Sequence, residues 1–151
     1  MPLLDALLQL SAAQAVTTTA VSTNTIDLSQ SRDMAVGRDL YAVVDVDASV
    51  TAAGAATVTF QVITSAAANL GSPTVIAQTD AIGKAELTAG RRPISIALNP
   101  AILAAQPNGQ RYLGVQYTVG TGPLTAGAFT CYISDSQVTG PQYYPSGFSV
   151  L

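Results

Sequence analysis

The sequence predicts an all-β protein, an antiparallel β-sandwich in which a jelly roll is the favoured arrangement. Its 151 residues suit a single domain, and hydrophobic residues make up 48% of the chain, enough to fill a core. Beyond Leu10 the chain is rich in Thr, Val and Ala, has turn residues at regular intervals, and carries no long helical pattern. About eight strands fit two packed sheets, and an immunoglobulin-like sandwich is the second choice because the pattern does not fix the strand order.

Residues 1–14 differ in composition from the rest of the chain and are predicted to form an arm or a short helix. Four leucines would line one side of a two-turn helix: Leu3, Leu4, Leu7 and Leu8. A secretory signal is the weaker interpretation, because the stretch lacks a cationic leader and Asp5 interrupts its apolar run. The leucines are expected to pack on their own domain or to contact a neighbouring subunit.

The sandwich domain is predicted to span residues 15–139. Its candidate strands are 15–22, 25–28, 40–47, 57–64, 74–79, 93–98, 111–119 and 128–134, with a further short strand near 82–87 and one helical turn within 101–110. Several strands alternate cleanly between apolar and polar residues. Val58, Phe60 and Val62, for example, share one face of their strand and are expected to point into the core.

The stretch RYLGVQYTVGTGPLTAGAFTCYIS, residues 111–134, carries the clearest strand pattern. Val115 and Tyr117 point inward on the first run, and Phe129 and Cys131 do so on the returning run. Glycines and a proline between the runs predict an antiparallel hairpin with a wide tip. Cys131 is therefore expected to be a core residue, because the chain has no histidine that could activate a reactive thiol.

Residues 140–151 are predicted to form an extended arm. Two prolines remove backbone donors there, and two glycines weaken regular structure. The aromatic residues of the arm are Tyr143, Tyr144 and Phe148. Exposed apolar clusters are costly, so these rings are expected to be buried. The sequence leaves two places open: the arm's own domain, or a neighbouring subunit, where aromatic residues often dominate the binding energy.

The composition favours a subunit of an assembly. Charged residues make up 10% of the chain, against about 25% in ordinary soluble proteins. The surface is therefore built largely from small uncharged side chains, which lose little entropy when they are covered. A β-domain of a secreted protein or of a protein from an extreme environment is the alternative. The six basic residues are scattered, so nucleic acid is not an expected partner. A membrane is not expected either, because no apolar run reaches the ~18 residues needed to span one.

Catalytic and metal-binding patterns are absent from the sequence. Without histidine there is no Ser-His-Asp triad and no imidazole metal site. Asp45 and Asp47 suggest a calcium pair or a glycosidase dyad, but two carboxylates on one strand do not face each other across a cleft. They are expected to form the solvated face of their strand. No enzymatic activity and no cofactor are therefore expected.

Four arginines are possible docking charges: Arg32, Arg38, Arg91 and Arg92. The first two adjoin aspartates and are expected to form local or intersubunit ion pairs, each contributing roughly 0–1 kcal/mol. The other two precede Pro93 and are expected to cap the entrance to a strand, or to dock against an acidic neighbour.

Three patches of the chain resemble the small capsid cement (decoration) proteins of certain tailed bacteriophages: LLDALLQLSAAQAVTTTAVSTNTIDL, ELTAGRRPISIALNP and RYLGVQYTVGTGPLTAG. The resemblance continues into the tail QYYPSGF. It implies a jelly roll on the outer surface of the phage capsid, made in the host cytoplasm and bound at junctions between subunits of the major capsid protein. It also implies self-association. A dimer is favoured and a trimer is the alternative, but no residue pattern decides between them. No catalytic or cofactor residues come with it.

A structural virion protein is therefore the expected function. The alternative is a jelly-roll carbohydrate-binding module, in which Tyr41, Tyr112 and Tyr132 form a platform for a sugar ring. An adhesin head domain is a weaker third interpretation.

Overall fold

The computed structural model describes residues 6–28, 39–104 and 106–135, which form two antiparallel sheets packed face to face. The strands are β1 (Gln9–Ala15), β2 (Ala20–Val21), β3 (Ile26–Asp27), β4 (Leu40–Thr51), β5 (Thr57–Ser65), β6 (Thr74–Gln78), β7 (Ile82–Gly83), β8 (Ile94–Leu98), β9 (Tyr112–Gly120) and β10 (Ala126–Ser134). The helical elements are two 3-10 turns, Ala6–Leu8 and Lys84–Glu86, and the short helix α1 (Pro100–Ala104). The last of these confirms the helical turn predicted within residues 101–110.

The strand order is that of a jelly roll. Sheet A has the order β1-β10-β4-β8, and sheet B has the order β2-β9-β5-β6, with β3 beside β9 and β7 beside β5. Apart from the short strands β3 and β7, the strands pair in a nested way: β1 with β10, β2 with β9, β4 with β8, and β5 with β6. An antiparallel ribbon rolled into a sandwich produces this nesting. The predicted fold class is confirmed.

The predicted hairpin over residues 111–134 is wrong. β9 lies in sheet B and pairs with β5, whereas β10 lies in sheet A and pairs with β4. The connection 121–125 therefore crosses from one sheet to the other. Alternation did not distinguish the two arrangements, because the inward side chains of both strands point into the same core in either case.

The segment predicted as an arm or short helix contributes a strand to the sandwich. In the described part of this segment, the helical portion is the single turn Ala6–Leu8, and β1 begins at Gln9. Leu10 is fully buried, and β1 pairs with β10. The boundary placed at residue 14 therefore falls inside β1, and the strand predicted over residues 15–22 is replaced by β1 and the short β2.

Three fully buried aromatic residues join the two sheets. Phe60 of β5 and Tyr117 of β9 come from sheet B, and Phe129 of β10 comes from sheet A. The Phe129 ring centroid lies 5.1 Å from that of Phe60 and 5.2 Å from that of Tyr117. The Tyr117 hydroxyl lies 2.7 Å from Oγ of Ser11, which gives the buried phenol a hydrogen-bond partner.

A second, smaller apolar cluster lies on the outer face of sheet B. Leu70, from the loop between β5 and β6, packs over Gly114, and both Leu70 and Ile63 are buried. Ile63 is the cross-strand neighbour of Gly114. A side chain at position 114 would collide with Leu70, so glycine is what lets this loop close onto the sheet.

Candidate binding surface

Three loops meet at one end of the sandwich and present an uncharged surface, here named the neutral end. They are residues 16–19, 52–56 and 121–125, and none of them contains a charged residue. Their exposed positions are filled by threonine, alanine, glycine and proline. These three loops therefore contribute no charged side chain to this end of the sandwich.

Hydrogen bonds between the loops hold the neutral end together. The backbone N–H of Leu124 donates to the carbonyl oxygen of Thr17 at 2.8 Å, and that of Thr125 donates to the carbonyl oxygen of Thr51 at 2.7 Å. The hydroxyls of Thr51 and Thr125 are also 2.7 Å apart. These bonds link parts of the chain that are far apart in sequence, so they hold the loops in place relative to one another.

Each loop is also fixed to the core by one buried apolar residue. Val16, Ala56 and Leu124 are all part of the hydrophobic core. The third loop turns sharply, with φ of +60° at Thr121 and +94° at Gly122. Glycine adopts such backbone angles without strain, which suits the crossing between the two sheets.

Lys84 brings the one ammonium group that the described structure shows bonded to the neutral end. Its Nζ donates a hydrogen bond to the carbonyl oxygen of Ala52 at 2.6 Å. The charge is thus directed at the protein's own backbone, and the lysine braces the loop between β4 and β5.

The outer face of sheet B carries uncharged polar side chains. Gln61 donates through Nε2 to Oε1 of Gln78 at 2.8 Å and accepts from the Thr118 hydroxyl at 2.7 Å. These bonds cross three neighbouring strands, β6, β5 and β9. The sheet therefore presents hydrogen-bonding groups without an ionic charge next to the neutral end.

The three tyrosines considered for a sugar platform do not share a surface. Tyr41 and Tyr132 belong to sheet A, whereas Tyr112 belongs to sheet B. Tyr132 is only 3% exposed. A flat platform made by all three rings is therefore ruled out by the topology.

Asp45 and Asp47 lie on the outer face of sheet A, as predicted. Asp47 accepts a hydrogen bond from the Thr130 hydroxyl at 2.5 Å. Partial burial, together with the charge of Asp47, raises the pKa of Asp45. In the part of the chain that the structure describes, no three His, Cys, Asp or Glu side chains come close enough to hold a metal ion.

We expect the substitution Asp45→Asn to stabilise the protein at neutral pH. Because the pKa of Asp45 is raised on folding, its ionised form disfavours the folded state above that pKa, and protonation at lower pH removes the penalty. The gain should be below about 1 kcal/mol, since the group is partly solvated. It should fade as the pH falls to about 3. Thermal unfolding of both proteins at the two pH values measures the effect. Asp80→Asn, on an exposed loop, controls for the loss of one negative charge.

The chain matches the model of the Bbp16 family over residues 10–133. It belongs to the Bbp16 family. The match runs from β1 into β10 and so covers both sheets and all three loops of the neutral end. The family is phage-related, which confirms the phage part of the sequence resemblance. No curated protein matches the chain.

The predicted contact residues of this Bbp16 family protein are only partly described. Leu7 is 67% exposed, whereas Leu8 packs against the core. The others lie outside the described residues: Leu3, Leu4, Tyr143, Tyr144 and Phe148. Leu7 therefore remains a candidate contact, and Leu8 is explained by its own domain.

The four arginines predicted as possible docking charges are also only partly described. Arg32 and Arg38 lie outside the described residues. Arg91 donates through Nη1 to the carbonyl oxygen of Glu86 at 2.7 Å, so it caps the second 3-10 turn. Arg92 is exposed. Of Arg91 and Arg92, Arg92 is therefore the one that remains a candidate docking charge.

One ion pair was not predicted from the sequence. Arg111 binds Asp27 through two hydrogen bonds of 2.8 Å each, which tie β9 to β3. The Arg111 guanidinium also lies 5.2 Å from the centre of the Tyr112 ring. The carboxylate raises the pKa of Arg111. Arg111 and Asp27 are 84 residues apart in the chain, so no local sequence pattern predicts that they pair.

Cys131 is buried in the core, and desolvation raises the pKa of its thiol, so it stays protonated and unreactive.

None of the helices in the described ranges is long and apolar enough to cross a membrane.

Proposed function

We propose that this Bbp16 family protein is a structural virion protein that binds the outside of an assembled phage head. In this proposal it sits at junctions between major capsid subunits and stabilises the shell by burying surface, with no catalytic step. The phage-related family supports the setting. The observation that carries the proposal is the neutral end, whose three loops contain no charged residue, are joined by hydrogen bonds and expose small side chains.

Covering a surface of this kind with another protein costs little free energy. Burying a charged group costs several kcal/mol unless it is paired, and immobilising a lysine or glutamate side chain costs about 1.5–2 kcal/mol in entropy. The exposed threonines, alanines and glycines of the neutral end avoid both costs. A larger share of the contact energy therefore remains as net affinity.

Shell stabilisation then follows from mass action. A protein that binds the assembled shell, and not its free subunits, lowers the free energy of the assembled state. A standard contact covers roughly 1,200–2,000 Å² in total. If one copy touches several subunits, each contact after the first is effectively intramolecular, so modest contacts add up to firm attachment. Self-association, which the resemblance implies, would increase this effect, and a dimer is the favoured form.

Co-sedimentation with shells assembled without this protein tests the proposal. The shells are formed from the major capsid protein of the phage that encodes this chain. We expect saturable binding to the shells, no binding to unassembled capsid subunits, and a higher temperature of shell disruption after binding. Failure to sediment with intact shells would overturn the proposal. Sedimentation velocity of the protein alone tests the dimer.

A further inference from the structure

One of the four asparagines of the chain lies at the tip of an exposed turn. Asn108 is followed by glycine in the loop between α1 and β9, and both residues are exposed. The backbone N–H of Gln110 donates to the carbonyl oxygen of Pro107 at 3.4 Å, which closes a β-turn with Asn108 and Gly109 at its centre. Gly109 has φ of +85°, an angle that glycine adopts without strain.

Few hydrogen bonds hold this turn to the rest of the protein. Within the described ranges, neither the side chain of Asn108 nor the backbone N–H of Gly109 makes a hydrogen bond. The glutamines on either side add none through their carbonyl oxygens, because Oε1 of Gln106 and Oε1 of Gln110 are buried without a partner in the protein. The turn can therefore change its backbone angles with little loss of free energy.

The other three asparagines are restrained by hydrogen bonds. Nδ2 of Asn24 donates to a backbone carbonyl oxygen at 3.3 Å. Oδ1 of Asn69 and Oδ1 of Asn99 each accept a hydrogen bond from a backbone N–H, at 3.1 Å and 2.9 Å. The residues that follow these three asparagines are threonine, leucine and proline, and the proline has no N–H. Asn108 therefore differs from the others both in its freedom and in its neighbour.

We propose that Asn108 is a site of spontaneous deamidation, at which the folded protein converts asparagine into aspartate and isoaspartate. The backbone nitrogen of Gly109 loses its proton to hydroxide and attacks Cγ of Asn108. The new N–Cγ bond closes a succinimide ring, the Cγ–Nδ2 bond breaks, and ammonia leaves with a proton taken from water. Water then opens the ring at either of its two carbonyl carbons, which gives aspartate or isoaspartate.

The geometry favours this reaction at Asn108 because the attacking nitrogen must come close to Cγ. A side chain on the following residue hinders that approach, and glycine has none. Among the described atoms beyond its chain neighbours, nothing lies within 4 Å of the point where a Cβ at position 109 would stand. A small misplacement of reacting groups slows a reaction by as much as about 100-fold, so the hydrogen bonds of Asn24 and Asn69 should protect them. The proline after Asn99 cannot supply the nucleophile.

Conversion adds charge at the end of the sandwich opposite the neutral end. Each event adds one negative charge to a chain whose formal net charge is −3. The turn precedes β9, whereas loop 121–125 of the neutral end follows this strand, so the new carboxylate lies at the far end of β9. The neutral end thus stays uncharged as the protein ages. The reaction is a property of the isolated chain and does not depend on the proposed function.

Peptide mapping by mass spectrometry tests the proposal, after incubation of the full chain at neutral and at mildly alkaline pH. We expect the replacement of NH2 by OH to accumulate at Asn108 at least about tenfold faster than at Asn24, Asn69 or Asn99, and to accelerate as the pH rises. Isoaspartyl methyltransferase, which labels isoaspartate and not aspartate, should modify the incubated protein. Equal rates at the four asparagines would overturn the proposal. A product that contains aspartate alone would also overturn it, because hydrolysis without the ring gives no isoaspartate.

A variant separates the effect of the fold from that of the Asn-Gly pair. Thr25→Gly places glycine after Asn24, whose side chain and backbone N–H are both hydrogen-bonded. We expect Asn24 in this variant to react at least about tenfold more slowly than Asn108 in the same molecule, since its geometry is restrained. Equal rates at the two sites would refute the role assigned to the turn. If the variant does not fold, the comparison within the unaltered chain still decides. Shell binding plays no part in either experiment, so their failure is distinguishable from failure of the proposed function.

Discussion

Replacing Phe129 with alanine is expected to destabilise the protein by about 3–5 kcal/mol, the usual cost of deleting a buried phenylalanine ring. Phe129 is fully buried and is the member of the aromatic cluster contributed by sheet A. Its ring packs against Phe60 and Tyr117 of sheet B. The substitution removes both contacts and leaves a cavity between the sheets.

Equilibrium unfolding in urea measures this loss. Because single domains are stable by only about 5–15 kcal/mol, the midpoint should fall strongly. Tyr117→Phe is the matched control in the same cluster: it keeps the ring and removes the hydroxyl that lies beside Ser11. Ser11 keeps a second partner in Gln14, so the control should cost only about 1 kcal/mol. Similar losses for the two variants would contradict a core held together by the packing of Phe129.

Introducing one carboxylate into the neutral end is expected to weaken attachment to phage shells by at least about tenfold, which corresponds to about 1.4 kcal/mol. The substitution is Ala53→Glu, in the exposed loop between β4 and β5. If this surface is covered on binding, the new charge must be desolvated without a partner, which costs several kcal/mol before relaxation. Titrated co-sedimentation with assembled shells gives the change in affinity.

The chain offers a closely matched control for this variant. Ala68 is also exposed, and its loop comes after the other end of β5. Ala68→Glu adds the same charge at the opposite end of the sandwich and should leave binding within about twofold of the parent, as surface substitutions away from a contact usually do. Equal weakening by both variants would point to a general effect of charge. Loss of binding with Ala68→Glu alone would place the contact at the other end.

The face of each strand that points into the core could be predicted, because successive side chains of a strand alternate between the two faces of the sheet. Val58, Phe60 and Val62 are all buried in the core, as expected. Alternation identifies the face of a strand but not its neighbour, which is why it predicts a hairpin over residues 111–134 that the structure does not form. Strand β1 was not predicted for a different reason. Its neighbouring residues Leu10 and Ser11 are both buried, and its pairing with β10 shifts register twice. These irregularities break the pattern that marks a strand.

The sequence predicted that the surface carries little charge, but it did not predict where on the fold the candidate binding surface lies. The composition showed that the exterior is poor in charge, yet the loops that form the neutral end are separated by long stretches of chain. Only the nested pairing of strands brings Thr17 next to Leu124, and Thr51 next to Thr125. The pairing of Asp27 with Arg111 depends on the same long-range topology.

The position of β10 has a consequence for how the molecule is made. This strand lies between β1 and β4 in sheet A, although it is the last of the ten described strands to be synthesised. Until it emerges from the ribosome, β1 has no partner in its sheet, and such distant pairings form slowly. Residues 121–125 are also among the last parts of the fold to appear. A nascent or prematurely terminated chain would therefore lack a finished neutral end, and if the proposed function holds, only completed molecules would bind the shell.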